Sequence, residues 1–379
     1  MIRILFSILF IFTLNITGYS QCLTNEHSNL WAESWVSCQE AMSPNSDRGM
    51  GHWIQYDFGD DYFLSTSTIW NSNIFNETNK GVQQLAVDFS SDGVNWITLD
   101  TFQLNQAPGT LDYQGEVGPD FQGIKARYVL LTSLSNWGNA TCASLAEVRF
   151  DVAPSVDSEV DLTIFMEGGY KTENQEMVSF LGNLLPLTHA FANAPFNHTG
   201  TESMSTLLPN VIDWVLVEAR SGTPSISGDR QTITVEQQAL LVLANGSIVD
   251  VDGNTPIFRL AQGQAYHFCV RHIGHLDVLS ASSLTTQTNM AYDFTTNPNQ
   301  AFGTLQQNVA SDGTAVMIAG DFNNDGAVQT TDYDVWKVNP ALLNVYLPAD
   351  VNFDGSVQTT DYDKWFPNRA KLGSVEIGF

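Results

Sequence analysis

The sequence contains few basic residues for its length. Lysine and arginine together number 15 among 379 residues, against 41 aspartate and glutamate residues, and the formal net charge is −26. A surface this acidic repels phosphate backbones and anionic lipid headgroups. Recognition of nucleic acid or of an acidic membrane is therefore disfavoured, whereas divalent cations are suitable partners.

Long apolar runs are lacking after the first 20 residues, so the sequence predicts no membrane span. Residues 1–20 contain Arg3, then an apolar run from Ile4 to Leu14, and finally small polar residues. This order predicts a secretory signal peptide over residues 1–20, with cleavage near Gln21. We therefore expect a protein that is secreted or displayed at the cell surface.

Cysteine is also scarce, with four residues at positions Cys22, Cys38, Cys142 and Cys269. In an exported chain this number predicts one disulfide bond or two. Three of the four precede residue 150, so at most one pair closes within that segment. The spacing alone does not identify the pair.

Familiar catalytic motifs are absent from the sequence, which has no Gly-x-Ser-x-Gly, no His-Glu-x-x-His and no phosphate-binding loop. Pairs of carboxylates are unavoidable among 41 acidic residues, and a glycosidase pair is recognisable only when a fold sets its spacing. We therefore predict a protein that is not an enzyme. The alternatives are an enzyme or accessory component of extracellular polysaccharide degradation, and a structural subunit of a surface matrix.

The clearest positive feature is an acidic loop that occurs twice. Residues 321–332 and 350–361 carry oxygen-bearing side chains at loop positions 1, 3, 5, 9 and 12, and glycine at position 6. This EF-hand-like pattern predicts calcium binding, because Ca²⁺ takes six to eight oxygen ligands and glycine permits the sharp turn. Aspartate at position 12, where glutamate is usual, shortens one arm of the cage. The predicted ligands of two calcium ions are Asp321, Asn323, Asp325, the Ala327 carbonyl, Gln329 and Asp332, and Asp350, Asn352, Asp354, the Ser356 carbonyl, Gln358 and Asp361.

Each loop is expected to lead into a short helix, beginning at Asp332 and Asp361, with Trp336 and Trp365 packed between the two helices. A unit of this size, residues 320–379, has little core of its own. Bound calcium must then supply much of its folding free energy.

Residues 21–152 consist of short runs rich in valine, isoleucine and aromatic residues, separated by turn residues, and predict an all-β sandwich. The most informative phrases are His52-Trp-Ile-Gln-Tyr-Asp-Phe-Gly59, Ile69-Trp-Asn-Ser-Asn73, Asp88-Phe-Ser-Ser-Asp-Gly-Val-Asn-Trp96, Ala126-Arg-Tyr-Val-Leu130 and Glu147-Val-Arg-Phe150. Their order resembles that of discoidin (coagulation-factor type C) domains, which belong to the galactose-binding-like jelly-roll class. The resemblance implies that loops at one end bind glycans, proteins or lipid headgroups.

The same resemblance implies a further calcium site, because Glu147 matches a late glutamate that helps to hold a structural calcium. The binding loops are expected near residues 34–35, 71–76 and 135–139. Sugar recognition needs an aromatic face and planar amides, so the candidate ligand-binding residues are Asn71, Asn73, Trp137 and Asn139.

The middle of the chain, residues 160–319, also predicts strands and turns, and we expect a second β-sandwich joined to the first by a polar linker at 153–159. Met177, Phe180, Leu181 and Leu184 recur at helical spacing and predict one short helix. His272, His275 and Asp277 suggest a metal site, but hydrogen-bonded structural histidines are the favoured interpretation. Three phrases of this segment are Ile212-Asp-Trp-Val-Leu-Val-Glu218, Asn245-Gly-Ser-Ile-Val-Asp-Val-Asp-Gly253 and Arg271-His-Ile-Gly-His-Leu276. Together they resemble a domain of secreted bacterial surface proteins, and that resemblance implies no activity.

The paired loops with aspartate at position 12 resemble dockerins, apart from tryptophan at positions 336 and 365, where leucine is usual. The resemblance implies that Thr330, Thr331, Thr359 and Thr360 select a cohesin-like partner. The sequence therefore predicts a mainly β, secreted bacterial protein with two β-sandwiches and a small helical calcium-loop pair. Its predicted role is calcium-dependent binding of an extracellular glycan or cell-surface glycoprotein, in carbohydrate recognition or adhesion.

Overall fold

The computed structural model describes residues 29–226, 231–338 and 340–377. The chain divides into two compact units, Met1–Pro154 and Ser155–Phe379. The predicted signal peptide at residues 1–20 and Cys22 lie outside the described residues. In the part of the chain that is described, no helix is long and apolar enough to cross a membrane. The predicted mainly β character is confirmed.

Among its described residues, from 29 to 154, the first unit has eight strands and three short 3₁₀ turns. The strands are β1 (Trp35–Ser37), β2 (Ala41–Met42), β3 (Met50–Asn71), β4 (Val82–Ser90), β5 (Ile97–Gln103), β6 (Glu116–Val117), β7 (Ile124–Asn136) and β8 (Ala143–Val152), and the turns are Trp31–Glu33, Ser46–Arg48 and Thr78–Lys80. The strand order in the sheet is β1-β8-β3-β7-β4-β5, and β2 and β6 also pair with β3.

The long strand β3 organises this sheet because it has two different neighbours. Its register shifts between Asp57 and Tyr62, its first part pairs with β7, and its last part pairs with β8. The sheet carries a buried core that includes Leu64, Val87 and Leu131. This arrangement is consistent with the predicted discoidin-like β-sandwich.

One disulfide bond joins Cys38 to Cys142. It lies beside the pairing of β1 with β8, where Ser37 is opposite Ala143. Cys269, in the second unit, is a buried free thiol whose pKa is raised to about 12 by burial. The prediction of a disulfide bond is therefore confirmed, and the structure identifies the pair that the spacing left open.

The second unit contains eighteen strands and two α-helices among its described residues. The strands are β9 (Ser155–Thr163), β10 (Tyr170–Lys171), β11 (Glu176–Met177), β12 (Val211–Ser221), β13 (Ile233–Leu243), β14 (Ile248–Val249), β15 (Ile257–Ala261), β16 (Ala265–His272), β17 (Gly274–Leu279), β18 (Leu284–Thr285), β19 (Asn289–Asp293), β20 (Gln307–Val309), β21 (Ala315–Met317), β22 (Ala319–Asp321), β23 (Ala327–Val328), β24 (Leu342–Leu343), β25 (Ser356–Val357) and β26 (Lys371–Leu372). The helices are α1 (Thr330–Lys337) and α2 (Thr359–Asn368). Two 3₁₀ turns cover Gly182–Leu184 and Pro298–Gln300.

Two of its sheets provide most of the second unit's core. The larger has the order β14-β13-β12-β16-β17-β22, with β18 paired to β16, and the smaller has the order β15-β9-β19. Phe258 of the smaller sheet and Phe268 of the larger sheet are both fully buried, and their rings meet edge to face at 5.8 Å.

The predicted linker at residues 153–159 differs from the structure, because most of it lies in β9. Ser158, Val160 and Leu162 are buried, whereas the acidic residues between them are exposed. The strand is therefore half-buried, with an acidic outer face that gives its sequence the character of a solvated linker.

The helix predicted from Met177 to Leu184 is wrong. Met177 ends the hairpin of β10 and β11, and only a 3₁₀ turn follows at Gly182–Leu184. The backbone N–H groups of Met177 and Phe180 donate to the carbonyls of Ala244 and Phe353, so tertiary partners replace the helical hydrogen bonds. Phe180 is consequently exposed rather than part of an apolar helix face.

The paired acidic loops are built onto the larger sheet. β22 pairs with β17 and ends at Asp321, the first residue of the first loop. Leu276 and Ile318 share one hydrophobic cluster with Val328, Val357 and Trp365 of the loop region. After α2 the chain returns to the same sheet, where the carboxylate of Glu376 accepts backbone N–H groups of Ser225, Gln231 and Thr232.

Candidate functional site

Four segments of the first unit, residues 29–34, 72–81, 104–112 and 137–142, meet where strands end, and we call this region the loop end. Phe75 N–H donates to the carbonyl of Asn29 at 3.1 Å, and Trp137 N–H donates to that of Gly81 at 3.0 Å. The side chain of Asn29 donates to the carbonyl of Gly109 at 3.2 Å. Backbone contacts between segments therefore fix the shape of the loop end.

Asn71 and Asn73 were predicted to contact a ligand, and the structure gives them a different role. The Asn71 amide donates to the carbonyls of Val82 and Asn105 and accepts from the N–H groups of Ser72 and Val82. Asn73 likewise donates to the carbonyl of Thr110 and accepts from the N–H of Gly109. Both side chains are buried, so they hold the loops in place instead of facing solvent.

The other two predicted contacts, Trp137 and Asn139, are half-buried at the loop end. The Asn139 side-chain oxygen accepts the N–H groups of Thr141 and Cys142, at 3.1 and 2.9 Å, so it shapes the turn before β8. In the described chain the buried indole N–H of Trp137 has no acceptor. Their role toward a ligand stays a prediction.

The most exposed aromatic residues at the loop end were not among the predicted contacts. Trp31 is 73% exposed and Phe75 is 63% exposed. They lie on segments joined by the Phe75–Asn29 hydrogen bond. Two exposed aromatic rings on adjoining loops offer the flat apolar faces that sugar rings require. The sequence could have indicated both residues, because each aromatic residue lies in a polar loop segment that lacks the alternating pattern of a strand.

Glu147 lies half-buried on β8, opposite Trp70 of β3 and two positions from the pairing of Leu145 with Asn71. Burial, and then the charge of Glu147, raises the pKa of Tyr56. This carboxylate therefore lies near the loop end, and its role toward calcium stays a prediction.

The two acidic loops of the second unit share one hydrogen-bond pattern, and we call them the calcium-loop pair after the ion that their sequence predicts. The side chain of Asp321 accepts the N–H groups of Asp325 and Gly326, at 3.1 and 3.0 Å. In the second loop Asp350 accepts those of Asp354 and Gly355, at 3.1 and 2.8 Å. In each loop the carboxylate at position 1 therefore holds the turn at positions 5 and 6.

The position-12 carboxylates close the loops from the start of each helix. Asp332 accepts the N–H groups of Phe322 and Asn323 on Oδ1 and that of Gln329 on Oδ2. Asp361 receives the equivalent three groups in the second loop. Because a carboxylate oxygen has two lone pairs, each Oδ2 retains one for a cation.

Negative charge accumulates inside both loops. Burial, followed by the charge of Asp277, raises the pKa of Asp321 to about 8, and burial followed by the charge of Asp361 raises that of Asp350 to about 7. Burial also raises the pKa of Asp361 to about 6. In the described chain the buried Oδ1 of Asp354 has no hydrogen-bond partner. Crowded carboxylate oxygens that keep free acceptor sites suit a hard divalent cation.

The two halves of the calcium-loop pair are tied together by their tryptophans. The indole N–H of Trp336 donates to the carbonyl of Gln358 at 2.9 Å, and that of Trp365 donates to the carbonyl of Gln329 at 3.2 Å. Each tryptophan therefore contacts position 9 of the other loop. The four threonines predicted to select a partner, at 330, 331, 359 and 360, are all exposed.

The histidines of the large sheet form a hydrogen-bonded core network. Nε2 of His272 contacts Asp213 at 3.2 Å, and its Nδ1 contacts Nδ1 of His275 at 3.0 Å. Asp277 pairs instead with Arg271 at 2.7 Å. The three side chains do not converge on one point, which agrees with the interpretation that these histidines are hydrogen-bonded structural residues.

Comparison with known families matches residues 25–148 to the F5/8 type C domain. The first unit therefore contains an F5/8 type C domain, and the match spans about a third of the chain. No curated protein matches the chain as a relative.

Several solved structures resemble parts of the chain at low identity. CpGH89CBM32-5 from Clostridium perfringens, in complex with GalNAc-β-1,3-galactose, is 18% identical over 31% of this chain and 73% of its own, with a TM-score of 0.23. The C-terminal domain of a chitobiase from Bacteroides fragilis is 19% identical over 31% and 72%, with a TM-score of 0.21. A type II cohesin–X–dockerin complex from Acetivibrio cellulolyticus is 10% identical over 57% and 98%, with a TM-score of 0.28.

Proposed function

We propose that this is a secreted, non-catalytic, calcium-dependent protein whose F5/8 type C domain binds an extracellular glycan. One observation carries the proposal: the domain matched at residues 25–148 presents the exposed rings of Trp31 and Phe75 at its loop end. Aromatic faces bury the apolar side of a sugar ring at little cost in conformational entropy.

The ligand we infer is a neutral glycan of a polysaccharide or a cell-surface glycoprotein. The formal charge of −26 opposes the approach of acidic sugars. The buried amides of Asn71 and Asn73 keep the loops rigid, which favours a preformed site. Adhesion to a glycan-covered surface would follow from the same recognition.

Calcium belongs to this proposal as a structural ion in the second unit. Asp321, Asp325 and Asp332 would hold one ion, together with the other first-loop ligands named above, and the second loop would hold another in the same way. When bound, each ion neutralises crowded carboxylates and fixes its loop. The exposed Thr330 and Thr359 would then be presented on an ordered surface to a cohesin-like partner.

A glycan array on the full chain tests the carbohydrate proposal. Wild-type protein should bind a set of neutral glycans, and Trp31→Ala and Phe75→Ala should each weaken binding by about tenfold or more, the loss expected for an anchoring aromatic residue. The matched control is Val94→Ala, because Val94 is 76% exposed on the turn at the opposite end of β4. An array without hits, or equal binding by the three variants, would contradict the proposal.

A further inference from the structure

A loop of the second unit, residues 188–203, closes on itself, and we call it the neck loop. Thr188 and Ser203 form an antiparallel bridge at its base, and Met204 N–H donates to the carbonyl of Leu187 at 2.8 Å. Farther along, His198 N–H donates to the carbonyl of Phe191 at 2.9 Å. These contacts bring together side chains from the two arms of the loop.

Three metal-binding side chains meet at the base of the neck loop. Nε2 of His198 lies 3.1 Å from Oε2 of Glu202, and Nε2 of His189 lies 3.7 Å from the same oxygen. Ligand atoms of all three residues lie within 4.8 Å of one another. In a tetrahedral zinc site with ligand bonds of about 2.1 Å, neighbouring ligand atoms are separated by about 3.4 Å. The two distances in the structure, 3.1 and 3.7 Å, fall on either side of that value.

The cluster is buried on the side of the two histidines and open to solvent on the side of Glu202. The side chains of His189 and His198 are 5% and 3% exposed, whereas that of Glu202 is 25% exposed. His189 stacks on Phe191 and meets Trp214 edge to face, with ring centroids 6.1 Å apart in both cases. An apolar wall behind two imidazoles, with a carboxylate toward water, favours binding of an ion from solvent.

The hydrogen bonds of the two histidine rings must rearrange when a metal binds. Nε2 of His198 faces both carboxylate oxygens of Glu202, at 3.2 and 3.1 Å. Coordination at this Nε2 moves the ring proton to Nδ1, a buried nitrogen that has no hydrogen-bond partner in the described chain. Nδ1 of His189 accepts the N–H of Phe191 at 3.2 Å, and its Nε2 faces the carbonyl of Gly200 at 3.1 Å. Coordination at Nε2 moves the His189 proton to Nδ1, so the contact with Phe191 must open.

Gly200 keeps the space between the ligand atoms free. A Cβ at this position would lie 2.1 Å from Oε2 of Glu202 and 2.2 Å from Nε2 of His198. The φ of Gly200 lies outside the left-handed region, so the backbone does not require glycine. Glycine is therefore explained by the space it leaves between the carboxylate and the imidazole.

We propose that His189, His198 and Glu202 form a site for one zinc ion, separate from the calcium-loop pair. Two imidazole nitrogens select a borderline first-row metal over calcium, which prefers oxygen ligands. Three protein ligands leave a fourth position for water or for the Gly200 carbonyl. The set is also encoded within 14 residues of sequence, from 189 to 202, but it follows none of the common motif spacings.

Cobalt titration of the full chain, saturated with Ca²⁺, tests the site. Cobalt in a low-symmetry site with imidazole ligands gives strong visible absorption, unlike cobalt surrounded by oxygens alone. We expect one equivalent of cobalt to develop this absorption and one equivalent of zinc to remove it. Glu202→Gln and Gly200→Ala should each weaken binding by about tenfold to a hundredfold, the second without removing a ligand.

His52→Gln is the matched control, because His52 lies in the first unit and should leave the titration unchanged. Circular dichroism and melting curves establish that each variant folds, and the isosteric Glu202→Gln decides the matter if Gly200→Ala does not fold. The proposal is overturned if wild-type protein gives no such absorption, or if Glu202→Gln binds cobalt as tightly as wild type.

Discussion

The loop end of the first unit and the calcium-loop pair both consist of polar turns that contain several asparagine and glycine residues. The two regions differ in how far the chain satisfies the hydrogen-bonding groups of their polar side chains. Each donor and acceptor of the Asn71 amide has a backbone partner. In the calcium-loop pair, each carboxylate has about four acceptor sites but receives at most three N–H groups, and burial raises the pKa of Asp321 and Asp350.

This difference gives a criterion for interpreting polar turns. A buried polar side chain whose hydrogen bonds are all satisfied by the chain stabilises the fold and has little left for a ligand. A loop with excess acceptors is incomplete without a cation or protons. Four changes test this difference. They remove the cation, the fully hydrogen-bonded amide of Asn71, the glycine at position 6 of each loop, and a single hydrogen bond of a tryptophan.

Removing calcium should produce the largest effect. Each ion present at 100 times its Kd stabilises the folded state by about 2.7 kcal/mol, so two ions contribute about 5 kcal/mol. Scanning calorimetry of the full chain should show a calcium-dependent transition for the second unit that disappears in the double variant Asp325→Ala, Asp354→Ala. The transition of the first unit serves as the internal reference. Identical melting of the wild-type chain with calcium and with chelator would contradict the calcium assignment.

Asn71→Ala should cost the first unit about 3 kcal/mol in free energy of unfolding, because four backbone groups lose a partner and three of these hydrogen bonds are buried. Chemical denaturation measures the change. Asn139→Ala is the matched control, and its cost should be smaller since Asn139 is only half-buried. A stable Asn71→Ala variant that loses glycan binding would restore the ligand-contact interpretation.

Alanine at position 6 of the loops should cost about 1–2 kcal/mol, because Gly326 and Gly355 have φ values of 80° and 77°. The two sites differ in their surroundings. A Cβ at Gly326 meets nothing within 4 Å, whereas one at Gly355 would lie 2.8 Å from Cδ1 of Leu184. Melting of the calcium-loaded protein should therefore show a larger loss for Gly355→Ala than for Gly326→Ala, and equal losses would argue against this packing.

The smallest effect is expected from the tryptophan pair. Trp336→Phe removes one hydrogen bond, to the carbonyl of Gln358, and should cost about 1 kcal/mol. Trp365→Phe should cost more because Trp365 is buried in the shared hydrophobic cluster. Since both rings contact Tyr333 and Tyr362, a double-mutant cycle should give a coupling energy of about 0.5 kcal/mol or more. Strict additivity would indicate that the two halves are independent.

The sequence predicted those features that depend on local pattern. Residues 85–89 lie in β4 and residues 128–131 in β7, because dense β-branched and aromatic residues favour buried strands. Helices follow both acidic loops because each begins with the same capping residues. The phrase order of the first segment was enough to indicate an F5/8 type C domain.

Features that depend on tertiary contacts could not be predicted. The burial of Asn71 depends on Val82 and Asn105, which lie far from it in sequence. The helical spacing of Met177 and Leu181 was overridden by hydrogen bonds to other segments. His189 and Glu202 come together only because Thr188 pairs with Ser203, and no short motif encodes that closure.

The junction at Asp321 bears on how such a protein could be recombined. One residue is both the end of the edge strand β22 and the first predicted calcium ligand. A cut just before it would separate the loops from the strand that anchors them and would also detach Glu376, whose carboxylate holds residues 225, 231 and 232. The C-terminal repeats are therefore poorly suited to transfer on their own into another protein, and a transferred segment would need to include the large sheet.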